Sequence, residues 1–128
     1  MKRFLGILLL LAMALFTFGG MAISATSAKK ASVAAKPVTG EIVDLGCYLD
    51  YAKKGAGHKE CAATCIANGG PMGLLTSTGK LYVLTMNHDN GDAFNQAKKH
   101  AGDKVKITGP VAMRNGTHAL QVNSVEAM

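Results

Sequence analysis

All three cysteines of the chain lie in the run CYLDYAKKGAGHKECAATC, from Cys47 to Cys65, which also holds His58, one of four histidines. From Gly57 onward, GHKECAATCIAN reads as a helix closed by Gly69-Gly70-Pro71. On such a helix His58, Cys61 and Cys65 stand at i, i+3 and i+7, and residues three and four apart share a face. Cys47 lies upstream, at the end of the expected first strand, where it approaches the group from the other side. Three thiolates and one imidazole are the donor set of a closed tetrahedral zinc site. Soft thiolates also suit Cu(I). The expectation is therefore one zinc or copper ion held by Cys47, His58, Cys61 and Cys65.

Other readings of the same residues stand beside it. An odd number of cysteines also fits one disulfide, Cys47 to Cys61 or Cys65, with one thiol to spare. Cys61 near a helix N-terminus is placed where the macrodipole favours a thiolate, which suits thiol–disulfide exchange by Cys61 and Cys65 with Cys47 resolving. His58 fits a solvent-facing helix start as well as it fits a ligand. The residue after Cys65 is Ile66, so this is no haem c attachment sequence. A weaker collection, Met86-Asn87-His88 with Met72, Met113 and His118, has donors for Cu(I) but reads better as packing. No GxSxG, P-loop or HExxH run is present, and nothing pairs the carboxylates as acid and base. The chain is read as non-enzymatic.

The elements that must position these residues come after an export segment. Lys2 and Arg3, the apolar run Phe4–Phe18 and Thr26-Ser27-Ala28 make residues 1–28 a secretory signal peptide, with an uncleaved anchor as the alternative. The apolar run is short for a membrane span, so no stable membrane insertion is expected after cleavage. The expected location is exported, periplasmic or extracellular. Residues 29–37 read as a flexible Lys/Ala/Ser linker. The net charge of +6 falls to +4 without Lys2 and Arg3, and to +1 without Lys29, Lys30 and Lys36 as well. The basicity thus lies outside the domain, and a nucleic-acid partner is not expected. A metal ion and an unidentified protein are the partners left.

Residues 38–128 suffice for one small domain. The first strand is read as Val38–Tyr48. A hairpin follows, Met72–Thr76 and Lys80–Met86 around Ser77-Thr78-Gly79. Asn90-Gly91-Asp92 offers cap chemistry for a helix Ala93–Ala101, with Gly102 after it. DKVKITGPVAM and HALQVNSV form a second hairpin around Asn115-Gly116, with a break at Gly109-Pro110.

In TGEIVDL, AGDKVKITGPV and GTHALQVNSVE the chain resembles small exported bacterial OB-fold domains. The arrangement C…H..C…C…GGPMGLL…GKLYVLT is similar to a group of secreted bacterial proteins, and the likeness spans roughly residues 38–127. It implies a mainly β fold with two short helices, a five-stranded OB-fold-like barrel carrying an inserted Cys/His-bearing helix. It implies no activity, because an OB-fold hosts many. With Tyr48, Tyr51, Tyr82 and Phe94 as its only aromatic residues, the domain lacks the stacking platform of a single-strand binder. A disulfide-stapled binding or interaction domain is the second reading of its function.

Overall fold

The computed structural model describes residues 35–128; the expected signal peptide and most of the expected linker lie outside them. The described residues are mainly β. Seven strands form one mixed sheet: β1 (Lys36–Asp44), β2 (Met72–Leu75), β3 (Leu81–Met86), β4 (Lys104–Gly109), β5 (Val111–Arg114), β6 (Thr117–Val122) and β7 (Ser124–Ala127). Three helices accompany them: α1 (Leu45–Tyr51), α2 (Lys59–Ala67) and α3 (Asp92–Lys98). A single 3-10 turn, Ala56–His58, precedes α2. Among the described residues no helix is long and apolar enough to cross a membrane.

The sheet is open, in the order β5-β6-β3-β2-β1-β4-β7, and this corrects the expected closed five-stranded barrel. Two of the five expected strands are each divided. Pro110 has no N–H to give a ladder, and it splits residues 104–114 into β4 and β5. Asn123 likewise separates β6 from β7. Hydrogen bonds from Gln121 N to Pro110 O and from Asn123 N to Thr108 O, both 3.0 Å, bridge the two breaks. Gly109 is required there, since a Cβ would lie 1.7 Å from Gln121 O. All neighbouring strands are antiparallel except β3 and β6.

The turn chemistry matches its sequence signals. Asn115 and Gly116 both take positive φ, 50° and 80°, joining β5 to β6 with Arg114 opposite Thr117. The turn at Thr76–Lys80 closes on the Thr76 hydroxyl, which accepts from Lys80 N at 3.0 Å. Asn90 Oδ1 accepts from Asp92 N at 2.9 Å at the start of α3.

Two further expectations are corrected. The first strand runs Lys36–Asp44 and stops short of Tyr48. Leu45–Tyr48, read as strand, belongs to the additional helix α1, so three helices stand where two were expected. Asp44 is the cause, because its side chain caps the helix and ends the strand.

One core unites the sheet and the helices. Ile42, Leu74, Val105, Ile107, Leu120 and Val122 bury completely from the strands, Ile66 from α2 and Ala97 from α3. Full burial of a Leu, Ile or Val side chain is worth about 1.5–3 kcal/mol. On the opposite side of β1, Val43 and Leu75 pack with Leu45 of α1 in a second, smaller cluster. The helices bearing the cysteines are thus anchored from two sides.

Candidate metal centre

The site begins where β1 ends. Side chains alternate along a strand, so Asp44 takes the next position on the face that Ile42 turns into the core. Asp44 is only 4% exposed and is the one buried polar or charged side chain among the described residues. Its Oδ1 accepts from Cys47 N at 2.7 Å. That bond satisfies an amide that the first turn of α1 leaves without a helical partner. Leu45 N donates to Pro71 O at 2.9 Å, tying the start of α1 to the segment after α2.

The other two cysteines ride on α2. Cys61 sits in its first turn and Cys65 one turn later, four residues on. Ala62 and Ile66 of the same helix go into the core, so the cysteines' position follows from packing. The end of α2 is a full Schellman motif. Gly69 N donates to Ile66 O at 3.1 Å and Gly70 N to Cys65 O at 2.8 Å, with Gly69 at φ 96°. Gly70 is wedged between the two parts of the site. A Cβ there would stand 2.7 Å from Cys65 O and 3.0 Å from Asp44 Oδ2.

These devices bring Cys47, Cys61 and Cys65 together, with their three sulfurs within 4.8 Å of one another. None of the three is in a disulfide. A metal with bonds of about 2.3 Å to each sulfur holds them about 3.8 Å apart, so the group fits one ion with little movement. Cys47 and Cys65 are half-buried and Cys61 is exposed.

The electrostatics favour the protonated forms of Cys47 and Cys65. Burial pushes the Cys47 thiol up to about 12; its hydrogen bond to the Asp44 carboxylate, the charge of that carboxylate and Cys61 push the same way. Cys65 is raised by burial first, then by Cys61 and Asp44. A carboxylate beside crowded thiols opposes further negative charge, and a cation is what relieves it.

His58 stands outside the sulfur group. It closes the 3-10 turn and is the N-cap of α2, at φ −120° and ψ 3°. The helical spacing that aligned it with Cys61 and Cys65 therefore stops short of it. Its Nε2 is buried without a hydrogen-bond partner. The side chain lines a crevice with Glu41, Asp44, Lys54 and Gly102. The methionine and histidine collection does not converge as a whole, although Met113 stands opposite His118 across β5 and β6. Met72 is buried in the core, Met113 is exposed, and His118 packs edge-on against Tyr82, with ring centroids 5.9 Å apart.

Sequence reasoning missed Asp44 and Gly70. Asp44 carried a signal: an aspartate on the core-facing parity of β1, three residues before Cys47, is an N-cap position. Gly70 was read only as a helix stop. No family model, no curated protein and no solved structure matches the chain.

Proposed function

We propose that this domain is a non-enzymatic metal-binding module in which Cys47, Cys61 and Cys65 hold one thiophilic ion, zinc or copper. The observation that carries the reading is the meeting of three sulfurs from two helices, with ten and more residues between Cys47 and the other two. Asp44 adds support as a buried side chain whose Oδ1 holds the Cys47 amide. Asp44 would act as an outer partner, fixing Cys47 through its backbone. Export, suggested by residues 1–28, would put the module where metals are scavenged. β1 flanked by β2 and β4, with β3 parallel to β6, supports an OB-like kinship for the sheet.

A competition titration against a chromophoric chelator tests the reading. One equivalent of Zn(II) or Cu(I) binds the wild-type protein, and Cys47→Ser loses that binding. Equal affinity in the two proteins contradicts it.

The closeness of the sulfurs also favours a second reading, thiol–disulfide chemistry through the exposed Cys61. It requires Cys61 to be alkylated rapidly below neutral pH. It also requires a defined disulfide in the isolated protein, where the metal reading requires three free thiols.

A further inference from the structure

Two other donors lie near the sulfurs in sequence, and neither completes the group. His58 is not among the grouped donors, its N-cap conformation separates it from the face of α2, and its Nε2 is buried without a hydrogen-bond partner. Asp44 is not among the donors that lie within 4.8 Å of one another, and its Oδ1 accepts from the Cys47 amide. Exposure around the group is uneven, with Cys61 exposed and Cys47 and Cys65 half-buried. An ion on the three sulfurs therefore has protein on the Asp44 side and solvent on the Cys61 side.

We propose that the metal centre keeps one coordination position open beside Cys61 and takes an external thiol there, so that the ion is exchanged with thiol ligands. The proposal rests on the three-cysteine metal reading above and deepens it. A tetrahedral ion with three protein ligands carries water or another small ligand in the fourth position. An incoming thiol R–SH gives its proton to solvent, forms a fourth metal–sulfur bond and displaces the water. No oxidation state changes. Cys61, the exposed ligand, is the first that a second external thiol replaces.

The test uses the Co(II)-loaded full chain, titrated with 2-mercaptoethanol and read by sulfur-to-cobalt charge-transfer absorption. The expected result is a saturable rise of about one third, as three sulfurs become four, with the same rise in His58→Ala. A spectrum unmoved by thiol, with an imidazole in the X-ray absorption shell that disappears in His58→Ala, overturns the open position and leaves the metal reading standing. Failure to bind Co(II), Zn(II) and Cu(I) alike, or binding that survives Cys65→Ser, overturns the metal reading itself and the open position with it.

Discussion

Ile42 and Asp44 stand two residues apart on the same face of β1, yet they belong to regions held together in different ways. Around Ile42 the sheet, α2 and α3 are joined by apolar burial, which is non-directional and spread over many side chains. Around Asp44 the helix ends are joined by a few directional bonds: Asp44 to Cys47 N, Leu45 N to Pro71 O and Gly70 N to Cys65 O. A core built by area tolerates local change. A corner built from single bonds keeps its geometry only while each bond is kept. The cysteines sit in the second kind of region, on helices anchored in the first.

That contrast is sharpest for substitutions that strike one region and spare the other. Cys65→Ser has the largest expected effect on the corner. Its loss of metal affinity should exceed the 10–100-fold typical of removing an outer-shell partner. Its apo melting temperature should stay near wild type, as a half-buried Ser for Cys leaves the core untouched. Leu74→Ala does the reverse. It opens a cavity at a fully buried position of β2 and should cost about 2–5 kcal/mol in denaturant unfolding. Its metal stoichiometry should hold wherever the protein is folded. A Leu74→Ala protein that folds but binds no metal would erase the distinction between the regions.

Gly70→Ala tests the join within the corner. Its Cβ would press on the Cys65 carbonyl, which is backbone and cannot swing aside. We expect a loss of about 1–3 kcal/mol together with weaker metal binding, seen in parallel melts of apo and loaded protein. Asp44→Asn should be the mildest, because an amide oxygen still caps α1 while the charge is gone. The Cys47 thiol should then titrate below its wild-type value of about 12, which thiolate absorbance in a pH titration will show.

The same thiol sets a pH dependence for the apo protein. Its folded value of about 12 lies above the ordinary 9.0. The stabilising contribution is therefore complete below pH 9 and is lost as pH rises from 9 toward 12. Metal binding has the opposite slope, since the ligands must lose their protons and affinity rises with pH. Chemical unfolding of apo protein across that range, beside metal titrations at neutral pH, separates the two.

The sequence showed the apolar region more fully than the polar one. Alternating Val105 and Ile107 and the Asn115-Gly116 turn are local signals, and the structure repeats them, while at α3 the N-cap is Gly91 and Asn90 makes a turn before it. The cysteines, too, were visible as a cluster. Their geometry was not, because α1 exists by virtue of one capping carboxylate inside a run that otherwise reads as strand. Pro110 and Asn123 were likewise visible as interruptions, but the sequence did not show that these divide the sheet into seven strands. His58 kept the right spacing on paper and missed the sulfur group because the helix begins one residue after it.

The central claim is that three free thiols exist in this fold to hold an ion. The most direct test is native mass spectrometry of the isolated chain, without chelator or reductant, followed by thiol counting after acid unfolding. The expected result is the mass of one metal ion per chain and three reactive thiols. A mass two hydrogens light, with one reactive thiol and no metal, would contradict it.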